Sequence, residues 1–376
     1  MDLRILLAPD KFKGTLDAPS VAEAMAAGAR VAAPGAEVRL RPLADGGEGT
    51  LDCIAAASQG TFTGVPAEDA FGAVVVARAL DDGTSVLLAM HETARLPARP
   101  TAPGALRASS RGTGLAVRRA LDSFPGREVV VFVGGSVSTD GGAGAAQAAG
   151  WRLLDAAGRD LGPGGGALRG LRRIVPPADP GTASVVAACD VDAPLLGPNG
   201  TAVVFAPQKG AGPSEVRVLK EGLGVLAERI EADLAIDVSS VAGGGAGGGM
   251  GAGLLAFFGA SLVSAFDLVA TATSFAEDVA WADLVVTGEG RVDESTLGGK
   301  VVARVAKACA AAGKRCAVVA GEVRLRAEAL PPHETLGVAA VEDLVAAYGR
   351  ERAFSDPARC VRDATTGLVG AAFPGG

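Results

Sequence analysis

The chain has 376 residues, 49% of them hydrophobic and 20% charged, with a formal net charge of −7. That length exceeds one small core and makes two domains the expectation. The acidic balance argues against a nucleic-acid or anionic-membrane partner. Five cysteines without a CxxC pair point to reduced thiols in the cytoplasm, and the scarcity of histidine, two in all, argues against a His-dependent triad or a multi-histidine metal site. The apolar run in MDLRILLAPD is expected to be too short for a signal peptide, and no stretch reaches the ~18 apolar residues of a membrane span.

In chain order, Arg4–Ala8 reads as a buried strand. It ends in the polar loop Asp10-Lys11-Phe12-Lys13-Gly14-Thr15, and Ala18–Val31 has the pattern of an amphipathic helix. Strand, loop and helix make the βα unit of an open α/β sheet, whose ligands collect at the carboxyl ends of the strands. Val38–Pro42 repeats the arrangement and feeds LADGGEGT (Leu43–Thr50), with helix Thr50–Ala57 behind it. In that loop Asp45 and Glu48 stand among Gly46, Gly47 and Gly49. Glycine allows close backbone approach to a ligand, a helix N-terminus favours an anion, and carboxylates hold Mg²⁺ or orient a hydroxyl. The same residues also suit a capped strand–helix turn.

The texture then changes. Thr61–Val65, Ala73–Ala79 and Ser85–Ala89 read as strands around Asp81-Asp82-Gly83, a hairpin signal, so a domain boundary is expected near residue 61. Pro97–Pro103 is a loop. Gly112–Ser123 is a helix with Arg111 near its start. Strand Glu128–Val133 feeds GGSVSTDGGAG (Gly134–Gly144), which contains Ser136 and Asp140. Strand Ser184–Cys189 ends at Asp190, Lys209 sits in the turn Pro207–Gly210, and Ser214–Ala232 reads as a helix capped by Ser214. Gly243–Gly253 has eight glycines in eleven residues and runs into the apolar helix Leu254–Phe258, which favours a ligand-facing loop over a linker. The βα pattern resumes near residue 278. Strand Asp283–Val286, a loop bearing Glu289, Arg291 and Asp293, helix Val301–Ala311 and strand Arg315–Ala320 come next. Only weaker elements are expected beyond them.

Only seven of the 35 basic residues are lysine, and Lys11, Lys13, Lys209 and Lys300 fall in glycine-flanked loops. Glycine with lysine cradles phosphates and carboxylates hold Mg²⁺, which together are the parts of phosphoryl transfer. No GxxxxGK[ST] is present, and a GxGxxG match at Gly243, Gly245 and Gly248 is what so glycine-rich a tract gives by chance. Ordinary roles are expected elsewhere. His91 and Glu92 read as solvated at a strand end. Glu289 and Asp293, which flank Arg291, suit a functional loop as well as a surface ion pair. Trp151 and Trp281 read as core or domain-interface residues.

Taken together, APDKFKGTL (Ala8–Leu16), LADGGEGT, RGTG (Arg111–Gly114), GGSVSTDGGAG, ACDV (Ala188–Val191), PQKGA (Pro207–Ala211), the Gly243–Gly253 tract and VTGEGRVD (Val286–Asp293) resemble the bacterial two-domain glycerate kinases in their order along the chain. The resemblance implies ATP-dependent phosphorylation of D-glycerate, commonly at the 2-hydroxyl to give 2-phosphoglycerate. It also implies an α/β fold. A Rossmann- or flavodoxin-like parallel-sheet domain, residues 1–61 and 278–376, would be interrupted by a mixed α/β domain, residues 62–277, with the active site in the cleft between them. One segment departs from the family. Where it usually has Glu-Met-Ala and small residues, this chain has Ala89-Met90-His91-Glu92-Thr93-Ala94-Arg95-Leu96, which bears on substrate identity.

Residue chemistry then distributes roles. Lys11, Lys209 or Lys300 would neutralise nucleotide phosphates, with Lys13, Ser136, Gly247, Gly248, Gly249 and Glu289 also on the ATP side. Asp45 or Asp190 would orient the hydroxyl or take its proton, with Lys11 in the same catalytic group. Arg111, whose fork suits a carboxylate, and Asp10 would meet the substrate. Asp190, Glu289 and Asp293 would supply ligands for Mg²⁺. The partners implied are ATP and D-glycerate, and a homo-oligomer is compatible with the sequence. A kinase for a related hydroxy acid, a dinucleotide-dependent oxidoreductase and a non-catalytic sugar-acid or nucleotide-binding regulator stay open at this point.

Overall fold

The computed structural model describes residues 3–178, 184–325 and 331–373. The chain divides into two compact units, one of Met1–Asp45, Asp52–Ser58 and Phe266–Gly376, the other of Gly46–Leu51 and Gln59–Ala265. The first unit therefore takes in residues 266–277, ahead of the residue 278 expected. Helix Phe275–Trp281 packs on strand Arg4–Leu7 and helix Val301–Ala311, and its buried Asp278 pairs with Arg39 at 2.8 Å and with Arg41. Trp281 is half-buried, with the Arg39 guanidinium 3.9 Å from its ring centroid.

The first unit is built on a five-stranded, wholly parallel sheet. Its order is Ala340–Asp343, Arg315–Ala320, Leu284–Glu289, Arg4–Leu7, Glu37–Leu40. The first strand of the unit thus lies between its second and third, the flavodoxin-like doubly wound arrangement, whose switch point falls between Arg4–Leu7 and Leu284–Glu289. Both strands are apolar without alternation, as strands covered on both faces must be. Backbone pairing carries on past the sheet: Ala8 N–H donates to Val286 O and Asp10 N–H to Gly288 O, each at 2.8 Å. This brings the first polar loop and the Glu289 loop to one end of the sheet.

Helix Ala18–Ala32 starts at Asp17, whose carboxylate accepts the Ser20 N–H at 2.8 Å. It lies against helix Pro357–Ala372, so the C-terminal region is far more regular than its sequence suggests. Thr365, Thr366, Gly367 and Gly370 weaken the helical pattern of that segment and hide it from a reading of the sequence. Cys360, Val361, Ala364 and Val369 nonetheless bury against Val21, Met25 and Ala29.

The second unit holds a six-stranded mixed sheet ordered Ser261–Val263, Val185–Ala188, Glu128–Phe132, Ser85–Ala89, Val74–Asp81, Thr61–Glu68. The first four are parallel and the last two add as antiparallel strands, with the hairpin expected at Asp82-Gly83. A second apolar cluster joins helix Pro213–Leu234 to the 3₁₀ turn Gly165–Gly170 and the small pair Arg152–Leu154 and Arg173–Val175. The long helix is capped by Gly212, not Ser214. Glu215 reaches back to accept the Gly212 N–H at 2.9 Å, while Ser214 donates to Glu215. Trp151 donates its indole N–H to Phe257 O at 3.1 Å and meets the Phe257 ring edge-on. Among the described residues no helix is long and apolar enough to cross a membrane.

At Gly28 a Cβ would collide with the Arg362 carbonyl and lie 3.0 Å from Thr365 Cβ. Gly28→Ala should therefore push the first and last helices apart and lower stability by roughly 1–3 kcal/mol despite the better helix propensity of alanine. A fall in the urea midpoint relative to wild type is the expected reading.

Candidate active site

At the switch point of the first sheet, Asp10 follows the first strand and is almost fully buried. Its Oδ1 accepts the Lys11 N–H at 2.7 Å. Lys11 Nζ lies 3.6 Å from that oxygen and 3.7 Å from Asp45 Oδ1. Burial pushes Asp10 up to about 6, with Lys11 opposing and Asp45 reinforcing the rise. For Lys11, burial disfavours the ammonium, yet the charges of Asp10 and Asp45 leave its pKa above the ordinary value. Lys13 is exposed.

Glu289 ends the neighbouring strand and is buried, which sets aside the surface ion-pair alternative. Thr296 Oγ1 donates to Glu289 Oε1 at 2.7 Å, and Lys300 Nζ stands 3.8 Å from Glu289 Oε2 and 3.8 Å from Asp293 Oδ1. Burial raises the Glu289 carboxyl to about 7, against the pull of Thr296 and Lys300. Asp293 pairs with Arg291 at 3.8 Å and caps Glu294–Leu297 by accepting the Ser295 N–H at 3.0 Å. Thr296, absent from the sequence-derived set, returns its Oγ1 to the Asp293 N–H at 3.1 Å. The Asp-x-x-Thr spacing before helix Val301–Ala311 was the signal that could have found it.

In the second unit, Gly134–Gly144 is organised by Asp140. This fully buried carboxylate accepts the Ser110 N–H at 2.8 Å, the Ser110 hydroxyl at 2.9 Å and the Gly144 N–H at 3.2 Å. Asp140 thus ties the loop to the start of helix Arg111–Ser123. Arg111 itself pairs with Glu68 at 3.3 Å. Lys209 is buried in the 3₁₀ turn Pro207–Lys209, its Nζ donating to Ser138 O at 2.5 Å and lying 3.5 Å from Ser136 Oγ. Burial lowers its pKa to about 7, with Asp140 resisting the drop. The hydroxyls of Ser138 and Thr139 are buried without a hydrogen-bond partner.

Gly247, Gly248 and Gly249 all have positive φ, +62°, +77° and +89°. Their close approach is to backbone: Gly248 presses on the Ser138 carbonyl and accepts the Gly141 N–H at 3.0 Å. No strand leads directly into this tract, so the dinucleotide fingerprint lacks its context. Asp190, partly exposed after strand Val185–Ala188, accepts the Ser264 hydroxyl at 2.9 Å.

The divergent segment is also corrected. His91 opens the short helix His91–Ala94 and is buried, not solvated. Burial holds its imidazole below the ordinary value, and Nδ1 has no hydrogen-bond partner. Glu92 is drawn in by Arg78, whose Nη2 donates to it at 2.7 Å.

Among the described residues no group of three or more His, Cys, Asp or Glu side chains has the spacing of a metal site. Mg²⁺ bound with nucleotide phosphates needs only one or two carboxylates. Glu289 and Asp293, which share Lys300 as a neighbour, fit that requirement, since a cation would relieve the cost of ionising the buried acid.

Glycine loops carrying lysines and carboxylates at strand ends, in an α/β fold, are the parts that phosphoryl transfer uses. Comparison with known proteins is more specific. The chain belongs to the glycerate kinase family, whose family model matches residues 5–371. It is 42% identical over 335 residues to a glycerate kinase of Halalkalibacterium halodurans, covering 88% of each chain. It is 39% identical over 316 residues to the glycerate 2-kinase of Escherichia coli, covering 81% of this chain and 82% of that one. A crystal structure of a candidate glycerate kinase 2 from Salmonella typhimurium superposes with a TM-score of 0.79 at 36% identity, over 99% of this chain and 98% of that one. The protein is accordingly an enzyme, a kinase of the phosphotransferase class.

Lys209 makes a pH prediction. Its folded pKa, near 7, lies below the ordinary 10.5, so the unfolded chain binds the extra proton between those values and wild-type stability rises with pH across that window. Lys209→Met removes the titration. Relative to wild type it should be most favoured below pH 7 and lose that advantage by pH ~10, by on the order of 3 kcal/mol. Urea unfolding of both proteins at pH 6 and pH 9.5 measures the change.

Proposed function

We propose that the protein transfers the γ-phosphoryl group of ATP to the 2-hydroxyl of D-glycerate, giving 2-phosphoglycerate and ADP, in the cytoplasm, where its cysteines stay reduced. The observation that carries the reading is the alternation of sign at the switch point of the first sheet: Asp10, Lys11 and Asp45 on one side, Glu289, Lys300 and Asp293 on the other. Such a set neutralises phosphate charge while keeping a carboxylate ready for a hydroxyl proton. Membership of the glycerate kinase family and the similarity to a named glycerate 2-kinase support the substrate and the position.

In this reading Lys11 and Lys300 face the phosphates as fixed cations. Each is already held by two carboxylates, so its ammonium is oriented before the nucleotide arrives, and preorganised charge stabilises the transferring group without reorganisation. Mg²⁺, held by Glu289 and Asp293, would neutralise phosphate oxygens. Asp45, about one-third exposed, is the most exposed of these four acids and serves as acceptor of the hydroxyl proton. Asp190, held by Ser264, is the competing assignment. Within the second unit, Lys209 and Ser136, with the Gly247–Gly249 backbone, shape the loop Gly134–Gly144.

The test is purified protein with MgATP and D-glycerate, ADP release being followed and the product identified by phosphorus NMR. ADP release dependent on glycerate and abolished by EDTA, with 2-phosphoglycerate as product, is expected. No release above background across several hydroxy acids would sink the proposal, and 3-phosphoglycerate would overturn its regiochemistry. Asp45→Asn should lower kcat by at least ~10²-fold, with Asp190→Asn affected less. The reverse order would transfer the proton role to Asp190. Lys11→Met should cost at least as much in kcat/KM.

A further inference from the structure

We infer that Arg95 recognises the carboxylate of the acceptor acid and that Glu48 occupies it as an internal competitor until the acid arrives. The inference rests on the proposed phosphorylation of a hydroxy acid and names the residue that selects it.

The second unit gathers three backbone segments around Arg95. At Gly134 a Cβ would lie 2.8 Å from Gly46 O, so the loops Gly46–Gly49 and Gly134–Gly144 touch backbone to backbone. Val137 N–H donates to Ala94 O at 2.8 Å, and Arg95 forms an antiparallel bridge with Ser136. Arg95 is thereby fixed by its main chain to the loop that also contacts Lys209 through Ser136 and Ser138. Its guanidinium extends to the other loop, where Nη1 lies 3.1 Å from Glu48 Oε1.

That ion pair has the properties of an exchangeable contact. The Arg95 and Glu48 side chains are 65% and 56% exposed, and an exposed pair contributes only about 0–1 kcal/mol. A carboxylate arriving from solution can replace Glu48 at little cost. It gains the planar two-point contact for which guanidinium is suited and which the ammonium of lysine does not reproduce. Arg111, the arginine expected from the sequence, is more committed: it and its partner Glu68 are 45% and 30% exposed. Next to Arg95, His91 is buried and offers no exposed cation, and the Arg78 guanidinium is engaged by Glu92. Glu48 then has a defined effect. By holding Arg95 when no acid is bound it lowers the apparent affinity for the acid, and releasing it should raise that affinity.

Steady-state kinetics with D-glycerate and ATP varied in turn test this on wild type, Arg95→Gln, Arg95→Lys and Glu48→Gln. Arg95→Gln should raise KM for the acid at least ~10-fold, the scale of a lost charged hydrogen bond, with kcat and the KM for ATP within about twofold of wild type. Arg95→Lys should recover part of the loss. Glu48→Gln should lower the KM for the acid. An unchanged KM in Arg95→Gln, or an equal rise in the KM for ATP, would overturn the inference. A wild type inactive toward every hydroxy acid refutes the kinase reading instead. Calorimetric titration of D-glycerate into wild type and Arg95→Gln then still decides for or against Arg95, because weaker binding by the variant is required.

Discussion

Lys11 is the residue on which the charge balance of the first unit depends. Its ammonium lies within 4 Å of both Asp10 and Asp45. Without it, two acids at the end of one strand pair would stand close together, one of them buried, and burial of an unpaired carboxylate is among the costliest arrangements in a protein. Lys300 performs the same service for Glu289 and Asp293 on the adjacent strand. Each lysine sits where desolvation and opposite charge act against one another. Burial moves Asp10 and Glu289, the buried acid of each pair, toward neutrality against that pull. The parallel sheet supplies the geometry, since at a switch point the connections from two neighbouring strands leave toward opposite faces and open a crevice at their carboxyl ends.

The second unit reaches a similar concentration of polar groups by a different route. Asp140 has no basic side chain bonded to it; backbone N–H groups and serine hydroxyls satisfy it instead. Lys209 has no acid within ion-pair distance among the described residues, and the Ser138 carbonyl accepts a hydrogen bond from its Nζ. Both depend on backbone coming very close to backbone, which is why Gly142, Gly248 and Gly249 cannot carry a Cβ without displacing another segment. The glycine richness that reads as ligand space in the sequence is in large part packing space. That packing holds Asp140 and Lys209 at fixed depths around the loop Gly134–Gly144.

Much of the architecture is legible in the sequence. Short apolar runs bounded by glycine and charge mark the parallel strands, and helix Thr50–Ala57, helix Val301–Ala311 and strand Arg315–Ala320 fall where their patterns place them. The elements that escape such a reading have identifiable reasons. Helix Pro357–Ala372 is stabilised by its partner helix more than by its own residues. His91 resembles a strand-end surface residue because exposure depends on what the following helix packs against. The cap of Pro213–Leu234 lies at Gly212 instead of Ser214 because Glu215 satisfies the free N–H from inside the helix. Thr296 escapes notice because a threonine acts only through the acid beside it.

The sequence by itself determined the inventory: which loops carry glycine, lysine and carboxylate, that they follow strands, and that histidine is scarce. Those are properties of residue type and spacing along a chain. The tertiary structure alone decided which of these groups are buried, which opposite charge each one meets and which arginine keeps an exchangeable partner. Depth and proximity arise between segments hundreds of residues apart, as when Asp10 pairs its backbone with Gly288. No local pattern encodes the desolvation that separates Glu289 from Glu48.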